Sequence, residues 1–323
     1  MPSPFRDHLH WLGLRILTAA AFHMVLPALA RLPAATGRRG ARLLGRLFAA
    51  LDCDWRTLGL RQHYVAGRTR QALREIDPGL DEARLNTLVR QRFVSATLEE
   101  LEGHWLALGR AKSFRCDFEG LDEVRAALAH GRGIVLLTMH FDATLMGVAH
   151  LGLAGIRLNL MTSNVVEDTR VLPVVRRYFA AKYMGIETCL NGGLVMHVEQ
   201  RLKSFYQALR VGRGVVILGE APAARTDDAM IVDFLGKRRA IAPGALRLAE
   251  KTGAPMAAFV CLRNSSGNYR VIFSPPYLPE NGSHSGNVAR LFAFLGAQVR
   301  NHPERWWAAD QLPNFINVDN RRT

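Results

Sequence analysis

The chain has few cysteines, and their positions exclude two common uses of that residue. The four thiols, Cys53, Cys116, Cys189 and Cys261, lie far apart. This spacing fits neither the close ligand pairs of a zinc site nor the framework of a small disulfide-bonded domain. We therefore expect no metal site, and buried thiols in a reducing compartment.

Acidic residues are also scarce relative to basic ones. The sequence has 28 Asp and Glu against 42 Lys and Arg, a net charge of +14. This excess predicts attraction to a polyanion: nucleic acid, an anionic bilayer, or an acidic protein that carries a substrate. Nucleic acid is the weakest of the three, because the basic residues are spread along apolar helices without interleaved stacking aromatics.

The N-terminal region lacks an uninterrupted apolar run of the roughly 20 residues that a spanning helix needs. The uncharged stretch from Ile16 to Ala30 lies between Arg15 and Arg31. Further arginines follow it, at 38, 39, 42 and 46. This pattern is typical of a helix lying in or dipping into a bilayer, and the alternative is a core helix followed by a solvated basic one. We expect residues 1–110 to form a helical membrane-associating region, with a further helix over 81–108.

From Gly120 onward, helical patterns alternate with short apolar runs. This alternation predicts a mixed α/β fold over residues 111–323, with a mainly parallel central sheet flanked by helices. The run 133–139 is continuously apolar, as expected for a strand covered on both faces, and His140 follows it. A second apolar run, 215–218, leads to Glu220. Segments 255–262 and 269–273 predict an antiparallel hairpin at the sheet edge.

His140 and Glu220 are candidates for one site. In open α/β sheets ligands gather beyond the carboxyl ends of the strands, so these side chains would face one crevice if their strands are parallel neighbours. Histidine commonly takes up a proton near neutral pH, and a carboxylate then orients its ring. Asp142 is the carboxylate nearest in sequence, although an Asp before an apolar helix is a preferred N-cap. Glu220 has its own alternative role, a structural carboxylate bonded to an arginine such as Arg225.

Several segments resemble the lauroyl/myristoyl lipid A acyltransferase family, a branch of the lysophospholipid acyltransferases. They follow the family's order along the chain and comprise 133–141, 212–220, 233–236, 242–244, 248–255 and 303–307. The resemblance implies a fatty acyl thioester of acyl carrier protein or coenzyme A as donor and a hydroxyl of a lipid or glycolipid as acceptor. It implies no cofactor, and a peripheral or singly anchored protein at the cytoplasmic face of the inner membrane.

The resemblance also implies residue roles. A histidine–carboxylate pair would deprotonate the acceptor hydroxyl, and basic residues would hold phosphate. By position, these basic residues are Arg225, Lys237, Arg238 and Arg239. The alternative for each is a solvated surface charge, whereas as a cluster they favour contact with phosphate or a carrier protein.

One departure from the family pattern affects the chemistry directly. The family places Asp or Glu five residues after the histidine, where this chain has Leu145. Leucine cannot orient an imidazole. We predict that Glu220 supplies the carboxylate, with Asp142 as second choice. The alternative is a catalytically inactive family member that binds acyl chains or a partner enzyme.

Overall fold

The N-terminal third of the chain is helical. The computed structural model describes residues 4–278 and 284–318. Two helices, α1 (Pro4–Ala20) and α2 (Leu26–Arg31), are joined by a π-helical turn at Ala21–Val25. Four more follow, namely α3 (Ala34–Ala50), α4 (Trp55–Leu60), α5 (Val65–Ile76) and α6 (Glu82–Ala107). The predicted helix over 81–108 is therefore confirmed as α6.

Helix α6 connects the helical region to the rest of the fold. It starts at Asp81, whose side chain caps it by accepting a hydrogen bond from the Arg84 amide at 2.7 Å. Its buried residues surround the helix rather than forming one stripe, because it packs against α3 on one side and against the later helix Pro173–Glu187 on another. The boundary proposed near residue 110 stays a prediction, since α6 contacts elements on both sides of it.

The remainder of the chain alternates strands and helices. In chain order these are β1 (Cys116–Glu119), α7 (Leu121–Ala129), β2 (Ile134–Thr138), α8 (Thr144–Leu153), β3 (Leu158–Thr162), α9 (Pro173–Glu187), β4 (Val195–His197), α10 (Val198–Arg210), β5 (Gly214–Leu218), β6 (Met230–Phe234), β7 (Lys237–Ile241), α11 (Gly244–Thr252), β8 (Met256–Arg263), β9 (Tyr269–Phe273), α12 (His284–Asn301) and β10 (Ile316–Asn317). The predicted mixed α/β class is confirmed.

The central sheet has seven strands in the order β1-β9-β8-β2-β5-β3-β4. All neighbouring pairs are parallel except β8 and β9. Along β2, Val135 and Leu137 belong to one apolar core while Ile134 and Leu136 belong to another. Both faces of the sheet are therefore covered by helices, as the unbroken apolar run predicts.

The predicted hairpin forms, but its predicted place is wrong. Strands β8 and β9 pair antiparallel. However, β1 pairs parallel with β9 and takes the edge position. Because β1 lies about 150 residues earlier in the chain, local sequence gives no sign of this pairing. A separate three-stranded sheet, β10-β7-β6, was not predicted.

The N-terminal helices leave part of their apolar surface exposed. Within the described residues one helical stretch, Asp7–Arg31, is long and apolar enough to cross a membrane. Its inner side is buried at Leu14, Phe22 and Leu26, whereas Ile16 is 61% exposed. Arg38 departs from the expected basic surface, because its guanidinium is buried and donates to the Tyr269 hydroxyl at 2.9 Å.

Candidate active site

The site begins where two parallel strands end side by side. Strands β2 and β5 pair in register, with Thr138 opposite Leu218. His140 and Glu220 each lie two residues further on, so the same register brings them together. Nδ1 of His140 is 2.6 Å from Oε1 of Glu220, and the His140 backbone N–H donates to that oxygen at 2.7 Å. The expectation that both residues face one crevice is confirmed.

The imidazole is fixed by contacts on more than one side. The Glu220 carboxyl group is buried, whereas the His140 side chain is about one third exposed. A carboxylate beside Nδ1 favours the tautomer that carries the proton there, which leaves Nε2 as the basic nitrogen. The Trp307 ring packs edge-on against the imidazole with ring centroids 4.6 Å apart, and the Trp307 amide donates to the His140 carbonyl at 3.1 Å.

Asp142 is neither the helix cap nor the partner of His140. The N-cap position of α8 is Ala143, which makes no side-chain cap. The Asp142 carboxylate instead accepts from the Arg263 backbone amide at 2.9 Å, from the Arg263 guanidinium, and from Arg305 at 2.7 Å. Both sequence-based roles for Asp142 are therefore contradicted, because two arginines from distant segments occupy its oxygens.

This ion-pair cluster holds the segment after β2 in place. Asp142 has a left-handed backbone with φ of 50°, a conformation that Asp adopts more readily than most residues. Glu102 of α6 binds the same Arg263 guanidinium at 2.6 and 2.9 Å. The cluster thereby joins α6, β8 and the C-terminal segment directly behind His140.

Replacing Asp142 tests this structural role. We expect Asp142→Ala to lower the free energy of unfolding by about 3–5 kcal/mol, because it removes one of the two carboxylates that balance the guanidinium groups of Arg263 and Arg305. The corresponding fall in Tm is on the order of 10 °C, measured by thermal unfolding. Asp227→Ala is the matched control, since it removes a carboxylate whose partner Arg225 is also exposed. Equal, small shifts for both variants would contradict the assignment.

A cavity of about 350 Å³ opens beside His140. Its volume lies at the lower end of the roughly 300–1,000 Å³ that small-molecule sites occupy. Much of the lining is apolar and comes from α8, β3, α9 and β5, including Leu145, Leu160, Met161, Phe179 and Leu218. At Leu145, where the family carries a carboxylate, this wall is hydrocarbon.

Another part of the lining is acidic, and sequence reasoning did not assign it a role. Glu99 and Glu100 of α6 line the cavity together with Lys182 of α9. Glu99 is only 2% exposed and Lys182 only 5%. Both carboxylate oxygens of Glu99, and Oε2 of Glu100, are buried without a hydrogen-bond partner. Lys182 Nζ lies 4.2 Å from the centre of the Phe179 ring.

Burial changes the acid–base behaviour of these groups. It raises the pKa of Glu99 to about 8 and the pKa of Glu100 to about 8, and it lowers the pKa of Lys182. The acidic run 99–102 is visible in the sequence, but its link to Lys182 spans some 80 residues and depends on the packing of α6 against α9. Periodicity alone therefore could not identify the group.

The raised pKa of Glu99 predicts a pH-dependent stability. Between about pH 4.5 and pH 8 the folded protein keeps a proton that the unfolded chain releases, so this group's contribution to stability falls as pH rises through that window. Glu99→Gln removes the titration. We expect its Tm relative to wild type to rise by at least a few °C from pH 6 to pH 9, measured by thermal unfolding. A constant difference would contradict the prediction, and Glu119→Gln, an exposed carboxylate, serves as control.

The basic residues expected to hold phosphate do not line the cavity. Arg225 is exposed and pairs with Asp227, and Lys237 pairs with Glu75. Arg238 is exposed on β7. Arg239 is buried and donates to the Phe234 carbonyl, Asn317 and Glu75, which contradicts a ligand-binding role for it. A role for the other three stays a prediction, at a place outside the cavity.

Fold and site together define an α/β protein with a histidine–carboxylate pair at the carboxyl edge of its sheet. The family model described as bacterial lipid A biosynthesis acyltransferase matches residues 89–311, more than half of the chain. The protein therefore belongs to that acyltransferase family.

Several solved structures also match the chain, among them that of one acyltransferase. It is that of the 1-acyl-sn-glycerophosphate (LPA) acyltransferase PlsC from Thermotoga maritima, with 15% sequence identity and a TM-score of 0.34. The match covers 81% of this chain and 96% of that one. No curated protein matches the sequence.

Proposed function

We propose that this protein transfers a fatty acyl group from a thioester, of acyl carrier protein or coenzyme A, to a hydroxyl of a lipid or glycolipid acceptor. The observation that carries the proposal is the 2.6 Å contact between Nδ1 of His140 and the buried Glu220 carboxylate, at the wall of a cavity. Membership of an acyltransferase family supports it.

The proposed reaction uses His140 first as base and then as acid. Nε2 takes the proton of the acceptor hydroxyl while its oxygen attacks the thioester carbonyl carbon. The tetrahedral intermediate collapses with cleavage of the C–S bond, and the imidazolium returns the proton to the departing sulfur. Glu220 keeps the ring oriented and stabilises the transient imidazolium. The products are an ester and a free thiol.

Two substitutions test the pair. We expect His140→Ala and Glu220→Gln each to lower the rate of acyl transfer or thioester hydrolysis roughly 100- to 10,000-fold, because the first removes the base and the second removes the charge that stabilises the imidazolium. Thiol release from lauroyl and myristoyl thioesters of coenzyme A and of acyl carrier protein measures the rate, with an extract of membrane lipids as acceptor. His130→Ala and Glu119→Gln are controls, since both side chains are exposed and lie outside the cavity.

The alternative, an inactive family member, predicts a different result. Its motivation is Leu145, which replaces the family's carboxylate by an apolar side chain. Equal rates for wild type and His140→Ala with every thioester would favour that alternative. Full activity of Glu220→Gln would reject Glu220 as the partner while leaving His140 in question.

We further propose that the N-terminal helices bind an anionic membrane surface at the cytoplasmic face of the inner membrane. Exposed apolar side chains continue from α1, at Leu12 and Ile16, through the π-helical turn, at Met24, to α3, at Leu43 and Leu47. Exposed arginines accompany them on α3, at 39, 42 and 46. Apolar side chains flanked by cations are the features by which a helix binds the interface of an anionic bilayer.

Vesicle sedimentation tests the membrane proposal. We expect the variant with both Ile16→Glu and Leu43→Glu to bind anionic vesicles at least roughly tenfold more weakly than wild type, because two apolar contacts with the bilayer are lost. Val211→Glu is the control, since Val211 is equally exposed but follows α10. A matching loss in Val211→Glu, or a gel shift on DNA without vesicle binding, would contradict the proposal.

A further inference from the structure

The cavity is acidic although the protein as a whole is basic. Against the net charge of +14, the lining has more carboxylates than cations. Its carboxylates are Asp54, Glu99, Glu100 and Glu220, and its cations are Arg56 and Lys182. A lining with this excess of carboxyl groups does not suit a phosphate group, which would bring further negative charge next to them.

Most buried charges around the cavity are already balanced by partners. Two groups of ion pairs each contain two arginines and two carboxylates: Arg56 and Arg92 with Asp54 and Asp310, and Arg263 and Arg305 with Glu102 and Asp142. Oε1 of Glu220 is occupied by His140, while its Oε2 has no partner among the described residues. Among the described residues that line the cavity, Glu99 and Glu100 then have Lys182 as the remaining cation, so this group has one carboxyl group in excess.

The same two residues also lack hydrogen-bond donors. Within the part of the chain that the structure describes, neither oxygen of Glu99 has a partner and Oε2 of Glu100 has none, although all three atoms are buried. Burying a carboxyl group without a donor is costly, and native proteins seldom leave such groups unpartnered. Aromatic faces lie beside them, since Tyr178 and Phe179 also line the cavity. The site therefore lacks one positive charge and several N–H or O–H donors.

We propose that Glu99 and Glu100, here called the acidic wall, bind an ammonium group carried by the acyl acceptor. An ammonium supplies one positive charge and three N–H donors, which are the two properties that the wall lacks. The adjacent aromatic faces also favour a cation. Without a ligand the wall takes up a proton instead, as the raised pKa of both carboxyl groups indicates.

This substrate class rests on the proposed function, since it concerns the acceptor of the acyl transfer. The acceptor would be an amino alcohol: its ammonium anchors on the acidic wall while its hydroxyl meets His140. A charged ammonium has no lone pair with which to attack the thioester, so it positions the acceptor and the hydroxyl remains the nucleophile. A neutral polyol would supply donors without the charge, and a phosphate would supply neither.

Binding of simple probes tests the acidic wall without any need for catalysis. We expect n-octylamine to bind the wild-type protein at least tenfold more tightly than n-octanol at neutral pH, and octyl phosphate to bind more weakly than either, measured by isothermal titration calorimetry. In the variant with both Glu99→Gln and Glu100→Gln the preference for the amine should disappear. Thermal unfolding confirms that this variant is folded.

Two further variants place the probe in the cavity. Leu145→Trp should weaken octylamine binding because it fills the apolar wall, whereas Glu119→Gln should leave binding unchanged. If octanol or octyl phosphate binds as tightly as octylamine, or if the amine preference persists in the doubly substituted variant, the inference is overturned.

Transfer assays then separate this inference from the proposed function and distinguish a lipid amine from a soluble one. The acceptors are 2-amino-1-dodecanol, 1,2-dodecanediol and ethanolamine. We expect the long-chain amino alcohol to exceed the diol at least tenfold in kcat/KM, and the doubly substituted variant to bring this ratio close to one. Ethanolamine exceeding the long-chain compound would indicate a soluble amine as the natural acceptor. Amine binding without transfer to any acceptor would retain the acidic wall and reject the acyltransferase proposal.

Discussion

The in-register pairing of β2 with β5 is the constraint on which the site depends. Because Thr138 lies opposite Leu218, the residues two positions beyond each strand are neighbours, and these are His140 and Glu220. A slip of one residue would turn the side chains of one strand to the opposite face and separate the pair. The register is secured by burial on both faces of β2 and by its second parallel partner, β8. The packing that stabilises the core thus also fixes the distance between His140 and Glu220.

The strand pairing alone would not hold His140, since the chain leaves the sheet at that residue. The next residues are fixed from several directions. Asp142 binds Arg263 at the end of β8 and Arg305 after α12, and the Thr144 hydroxyl accepts from the Phe141 amide at 3.1 Å. The Trp307 amide holds the His140 carbonyl. The imidazole is therefore carried by a backbone that three separate segments immobilise, which is the kind of support that a precisely placed base requires.

Sequence reasoning succeeded where the relevant information is local. Apolar runs identified β2 and β5, and the rule that ligands gather at strand ends brought His140 and Glu220 together despite the loss of the usual carboxylate at Leu145. It failed where a residue's role is set by partners far along the chain. The sequence around Asp142 is that of a helix N-cap, but its carboxylate is bound by Arg263 and Arg305, which lie more than 100 residues away in the chain. Arg239 belongs to a basic run of the sequence, yet its side chain is buried, where it donates to Glu75 and Asn317. The acidic wall lies next to Lys182 because α6 packs against α9, and no sequence pattern within either helix predicts that packing.

The charges of this protein act over two distances. Its excess of positive charge is spread over the surface, where it attracts anionic partners at long range until salt screens it beyond roughly 8 Å. The cavity lining instead has more carboxyl groups than cations and is surrounded by low-dielectric walls, where one carboxyl group without a matching cation discriminates strongly between ligands. Surface charge can therefore bring the protein to an anionic membrane or carrier without deciding what enters the site. This separation explains why the net charge of +14 did not predict the chemistry of the cavity. The composition determines the long-range electrostatic field, whereas the acidic wall selects the ligand that enters the site.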